Sequence, residues 1–148
     1  MNISNVGINL IKSYEKLRLK KYLDSGGNWT VGWGHKIRQG EKLDEITEEQ
    51  AEKIFMEDIK ELENNINKLI KVNLSQLMYD AIGSLVFNIG IGNFKTSTIL
   101  KLLNEGRFLQ ASKEFTRWVY CNKVILEGLI RRRTEELILY LLGWMGER

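Results

Sequence analysis

Between Thr47 and Ile70 the chain has little choice of structure. Thr47-Glu48-Glu49-Gln50 forms a capping box, in which the threonine hydroxyl and the glutamine side chain serve each other's backbone N–H groups. Apolar residues then recur at helical spacing: Ala51, Ile54, Phe55, Ile59, Leu62, Ile66 and Leu69, with Asp58 on the flank of the stripe. This pattern predicts one long amphipathic helix over about 48–70. Its outer face is charged and mixed in sign, which serves solvation. Its length suits a connection between a small sheet lobe and a helical lobe.

The stretches on either side follow different rules. Ahead of it, Ser4 is placed to cap a helix whose apolar face carries Val6, Ile8, Leu10, Ile11 and Tyr14, and Glu15 falls at its end. A carboxylate at a helix C-terminus opposes the macrodipole, so helix stability does not explain Glu15. From Leu17 to His35 the helical period disappears. The residues read as two antiparallel strands, about 18–23 and 29–33, joined by the turn Ser25-Gly26-Gly27-Asn28, with a third strand near Lys42 and Leu43. Gly32 and Gly34 bare one face of the second strand, which suits either close approach of another group or a simple bend. Beyond residue 70 the pattern is helical: Ser75 to Ile89, Thr96 to Asn104, Phe108 to Tyr120 and Glu127 to Leu142, with Gly90 to Phe94 as a loop.

Charge and composition exclude more than they select. The net charge of +3 and pI near 8.9 favour polyanions such as bacterial cell wall, nucleic acid or an anionic membrane face, without choosing among them. A nucleic-acid binder would need a clustered basic face or an aromatic platform, and neither is visible. The apolar run Leu137 to Met145 is too short to span a bilayer and contains a glycine, so the chain is not expected to be an integral membrane protein. The N-terminus lacks the pattern of a secretory signal, so synthesis in the cytoplasm is expected. Cys121 is the single cysteine, which rules out an intramolecular disulfide. One histidine and one cysteine fall short of a zinc site, and the acidic run around Asp44 to Glu49 lacks calcium-loop spacing; no metal and no cofactor are expected. His35 reads as a scaffold residue whose partner is Asp58, an ion pair that raises the histidine pKa. Arg131-Arg132-Arg133 fan out around a helix, giving two solvated arginines and one that points inward. A sharper reading pairs the inward one with an active-site carboxylate.

Glu15, Asp24 and Thr30 are separated by eight and then five residues. Two carboxyl groups and a hydroxyl on a glycine-rich ribbon supply what cleavage of a sugar acetal needs: one acid for the leaving oxygen, and one carboxylate for water or the developing cation. The spacing E-x8-D-x5-T, followed by Val31-Gly32-Trp33-Gly34-His35, resembles the signature of the phage-type lysozymes, the endolysin muramidases of glycoside hydrolase family 24. Phe87-Asn88-Ile89-Gly90, Gly92-Asn93-Phe94 and Ser97-Thr98 are similar to the family's helical-lobe motif. Trp118 and the run Gly128 to Arg133, with Glu135 and Glu136, match its C-terminal block.

The resemblance implies an α+β, mainly helical lysozyme-like fold forming a single domain over 1–148. It has a small antiparallel sheet lobe at about 15–47, the connecting helix at about 48–70, and a larger helical lobe at about 71–148 joined by the N-terminal helix. It also implies hydrolysis of the β-1,4 bond between N-acetylmuramic acid and N-acetylglucosamine in peptidoglycan, causing host lysis. Glu15 becomes the general acid, Asp24 the second carboxylate and Thr30 a hydroxyl that places water. Phe87, Asn88, Phe94 and Ser97 line or support the substrate cleft. The family is usually described as inverting, with carboxyl groups roughly 6.5 to 9.5 Å apart. The protein is expected to be a monomer that reaches the wall from the host cytoplasm with help from a holin. Lys36 departs from the smaller or apolar residue common in relatives, with no assigned consequence. Competing readings are a lytic transglycosylase, which needs no second carboxylate, and a wall-binding module that works through its basic surface.

Overall fold

A computed structural model describes residues 1–146; the last two positions of the expected helical lobe lie outside the described residues. The long helix forms as its sequence predicts. Helix α2 spans Glu48–Leu69, and the capping box is complete, with Thr47 accepting from the Gln50 N–H while Gln50 accepts from the Thr47 N–H. Its 22 residues reach about 33 Å, the width of a small domain. It serves two cores. Ala51 and Ile54 face the sheet with Val31 and Ile46, whereas Phe55, Ile59, Leu62 and Ile66 face the helical lobe. Trp33 packs against both clusters.

Helix α1 (Asn5–Glu15) precedes the sheet, which is antiparallel in the order β1 (Arg18–Leu23), β2 (Trp29–Gly32), β3 (His35–Lys36). Tyr22 opposes Thr30, and Thr30 opposes Lys36 across the next pair. The third strand thus lies at His35 and Lys36, not at the expected Lys42 and Leu43. Instead the chain near residue 45 runs along the free edge of β1 as an isolated bridge, Lys20 to Glu45, with Lys21 N–H donating to Asp44 O at 2.9 Å and Ile46 N–H to Leu19 O at 2.8 Å. The short step from Gly32 to His35 suffices for the tight return that makes β3, so the later segment is left the other edge.

The helical lobe is built around α3 (Gln76–Ile89), which is buried continuously from Met78 to Val86. Ser75 caps it by accepting from the Met78 N–H. Ser4 holds the N-cap position of α1, yet its side chain does not cap that helix. Its N–H and hydroxyl both donate to the buried carboxylate of Asp80, which ties the start of α1 to α3. Val6 of the expected apolar face is half exposed.

The chain then departs from the sequence reading. Ile91–Lys95, expected as a loop, is a short helix α4, and α5 begins at Thr98, behind its cap Ser97. The helix expected over 108–120 stops early. It comprises α6 (Phe108–Ser112), a 3-10 turn (Phe115–Arg117) and then a hairpin of β4 (Tyr120–Cys121) and β5 (Val124–Ile125). Asn122 and Lys123 at its tip both have positive φ, the backbone of a two-residue primed turn. Helix α7 (Glu127–Gly146) closes the lobe against α3.

Candidate active site

The end of α1 and the ribbon β1–β2 deliver Glu15, Asp24 and Thr30 to one cleft of about 540 Å³. Its opposite wall is the last turn of α3, with Phe87 and Asn88, and the segment from Trp118 to Leu129 that includes the hairpin. A second cavity of about 400 Å³ continues from it past His35, Arg38 and Asn65, sharing Gly34, Lys36, Phe87 and Asn88. The two cavities together therefore form a groove rather than a pit.

Glu15 is the last residue of α1, and Lys16 breaks the helix with φ 58 and ψ 150. The carboxylate is mostly buried and receives Arg132 Nη1 on Oε2 at 2.5 Å. Gly34 (φ 72) makes room for it: a Cβ there would collide with Glu15 Oε1. The bareness of Gly34 thus serves close approach of a carboxyl group.

Arg132 belongs to a buried cluster. Its Nε donates to Glu136 Oε2 at 3.2 Å and its Nη2 to Ser84 O at 3.1 Å, while the Ser84 hydroxyl donates to Glu136 Oε2 at 2.6 Å. Arg133 adds a 2.7 Å ion pair from Nε to Glu136 Oε1. Burial pushes the Glu136 pKa up, opposed by the two guanidiniums and the serine. Two arginines therefore point inward, not one, and only Arg131 of the three is exposed. Their neighbouring directions, about 100° apart, both fall within the wide buried arc of α7, where both pair with Glu136, three and four residues on, and Arg132 also reaches Glu15.

Asp24 is held by its own turn. Oδ1 accepts from the Gly26 N–H at 2.9 Å, the Asn28 N–H at 2.8 Å and, at 3.3 Å, Asn28 Nδ2. Among the described residues, Oδ2 meets Asn28 Nδ2 at 3.4 Å and Lys36 Nζ at 3.6 Å. Burial pushes this carboxyl up, but the Asn28 N–H, the Lys36 ammonium and the remaining donors outweigh it and hold the group below the ordinary carboxylate range. Thr30 is buried to 3% exposure and donates its hydroxyl proton to Asn28 O at 2.9 Å, which leaves its oxygen free to accept from a water. One loop thus orients both groups.

Of the four residues expected at the substrate, Phe87 and Asn88 line the cleft. Phe94 does not: it is fully buried in the helical core. Ser97 does not border the cleft either, because its hydroxyl donates to Phe94 O and accepts from the Leu100 N–H as the cap of α5. Both residues shape the lobe behind the cleft wall. His35 meets Asp58 through Nδ1 at 2.8 Å and Glu41 through Nε2 at 3.0 Å, so Asp58 is its partner and Glu41 a second that sequence reasoning missed.

The phage lysozyme profile matches residues 12–136, which takes in the acid end of α1, the sheet, α2 and the buried arginine cluster. The chain belongs to the phage lysozyme family. Within it, the chain is 49% identical over 146 residues to an endolysin of Acyrthosiphon pisum secondary endosymbiont phage 1, covering 95% of this chain and 98% of that one. It is 41% identical over 145 residues to an endolysin of Bacillus phage B103, covering 97% of this chain and 55% of that protein, so it spans about half the length of that relative. Among solved structures, the muramidase domain of SpmX from Asticaccaulis excentricus superposes with a TM-score of 0.82 at 35% identity, covering 95% of this chain and 97% of that one. The likeness to both kinds of relative runs through sheet, connecting helix and helical lobe together.

Proposed function

We propose that this member of the phage lysozyme family is an endolysin, an N-acetylmuramidase that hydrolyses the β-1,4 bond between N-acetylmuramic acid and N-acetylglucosamine in peptidoglycan and so lyses the host. The observation that carries the reading is the convergence of two differently held carboxyl groups and a hydroxyl on one groove. Glu15 is the proposed general acid. Its proton passes to the bridging oxygen as the bond from that oxygen to the muramic acid C1 breaks. Asp24, kept ionised by its turn, takes the proton of a water that adds to C1, and Thr30 accepts from that water to fix its approach. Endolysins of two phages and a muramidase domain among its relatives support the substrate class.

All three groups come from one chain, which supports action as a monomer. Release to the wall through a holin lesion is part of this proposal; among the described residues no helix is long and apolar enough to cross a membrane. Lytic transglycosylation would use Glu15 alone and leave the ordered Asp24 turn without a role.

Glu15→Gln keeps the shape of the site and removes the transferable proton. Lysis of outer-membrane-permeabilised cells should fall by at least about a hundredfold, with unchanged circular dichroism. Lysis at the parent rate would end the catalytic reading. Mass spectrometry of the digest should show reducing ends; anhydro sugars in their place would identify a transglycosylase.

A further inference from the structure

Lys36 reaches the proposed base from across the sheet. Tyr22, Thr30 and Lys36 oppose one another along the ladder, so their side chains form one row on the cleft face, and Asp24, two residues beyond Tyr22, joins the same face. Of the two oxygens of Asp24, Oδ1 is occupied by three donors, whereas Oδ2 has one long amide contact and the Lys36 ammonium at 3.6 Å. The oxygen that can serve a water is therefore the one that Lys36 attends. Other charges are placed differently. Glu15, the second carboxyl of the cleft, is paired with Arg132; Arg18 stacks on the Tyr22 ring; Arg117, on the far wall, is tied to Glu114. Lys36 is the cation paired with Asp24.

We propose that Lys36 is a positioning residue for the hydrolytic step, holding Oδ2 of Asp24 toward the attacking water and keeping that carboxylate ionised on the acid side of the working range. This rests on the role given to Asp24 above. The lysine itself is more than half exposed and carries no part of the core, so it can be replaced without loss of the fold. Its position at the junction of the two cavities gives a rival role as a contact for an anionic group of the substrate, and the two roles leave different kinetic signatures.

Rates on solubilised peptidoglycan strands are measured against pH for Lys36→Met, Lys36→Arg and Asp24→Asn. On the acidic limb the rate follows the ionised fraction of Asp24. There Lys36→Met should lose about fivefold relative to the parent, the size of one unit-charge interaction at this separation in water. Near the plateau, where Asp24 is ionised in both proteins, the loss of kcat is smaller, the part owed to a less well placed Oδ2, and Lys36→Arg restores both. An unmoved limb with only a raised KM would make Lys36 a substrate contact and overturn the proposal. An equal loss at every pH would make it a structural prop and overturn the proposal as well. Asp24→Asn tests the underlying role separately: it should lose activity at all pH values, and retained activity would remove Asp24 from the mechanism whatever Lys36 does.

Discussion

Replacing Asp58 by Asn removes one of the two carboxylates that hold His35. The ring is buried to 6% exposure, with Nδ1 2.8 Å from Asp58 and Nε2 3.0 Å from Glu41, so the imidazolium, which donates from both nitrogens, is the form this site fits. Hydrogen bonding to Asp58 raises the His35 pKa, burial lowers it, and Glu41 raises it further; the net direction is upward. A group whose pKa is higher folded than unfolded stabilises the fold fully below its unfolded value of about 6.5 and loses that contribution as pH rises through the folded value. Glu41 acts in the opposite sense. The Arg38 N–H and His35 hold its pKa down, so its contribution is present above about 4.3 and is lost as pH falls through the folded value. The cluster therefore contributes most between about pH 4.3 and 6.5.

Breaking a buried ion pair from one side costs about 3–5 kcal/mol, but Asp58 retains 17% side-chain exposure and His35 keeps Glu41, which brings the expected loss at about pH 5.5 to roughly 2–3 kcal/mol. For a chain of this length that corresponds to a fall in Tm of roughly 5–10 °C. At about pH 9 the neutral ring can accept from the new amide, and the loss should shrink to about 1 kcal/mol or less. Urea unfolding of parent and Asp58→Asn at both pH values measures the difference, and NMR follows the single histidine directly. An equal loss at both pH values, or a His35 midpoint at or below the ordinary value of about 6.5, would refute the account.

Gly34→Ala places a Cβ against the Glu15 carboxylate at a residue with φ 72, so lysis should fall by about tenfold or more while the helical content is kept; parent activity would show that the carboxylate has room to move. Lys16 sits at φ 58 and ψ 150, a region that glycine occupies freely and a lysine enters at a cost of about 1–3 kcal/mol. After allowance for about 0.5–1 kcal/mol of extra unfolded-chain entropy, Lys16→Gly should stabilise by about 1 kcal/mol and raise Tm by roughly 2–4 °C, and a lowered Tm in a thermal scan would count against the strain.

Local chemistry made some elements legible and long-range competition hid others. The capping box and the apolar period fixed α2 to within a residue, because both signals lie inside the element itself. The strand β1 and its glycine turn were readable for the same reason. The third strand was not, since either His35-Lys36 or the chain near Leu43 could pair with an open edge, and only the short return at Trp33-Gly34 decides which takes β2. The hairpin at Tyr120 to Ile125 carried a signal that was overlooked: aromatic and β-branched residues on both sides of Asn122, a residue tolerant of positive φ. Phe94 and Ser97 show the limit of motif reading at the site. A motif places residues near one another in sequence, and burial behind the cleft wall depends on packing that the motif does not specify.

The two carboxyl groups are anchored to different parts of the molecule. Glu15 sits at the end of α1, which packs on α3, and its oxygen is bound to Arg132 of α7, itself locked to Ser84 and Glu136 inside the helical lobe. Breaking that buried contact would leave the Arg132 guanidinium without its cleft-side acceptor, so Glu15 is anchored to the helical lobe. Asp24 is fixed by amides of its own turn and moves with the sheet. Between these units run α2, whose one helix contributes to both cores, the approach of Gly34 to Glu15, and a long hydrogen bond of the hairpin to the ribbon, Asn122 Nδ2 to Ser25 O at 3.4 Å. The gap between proposed acid and proposed base is therefore a property of how the lobes meet, whereas the orientation of each group is settled within its own lobe.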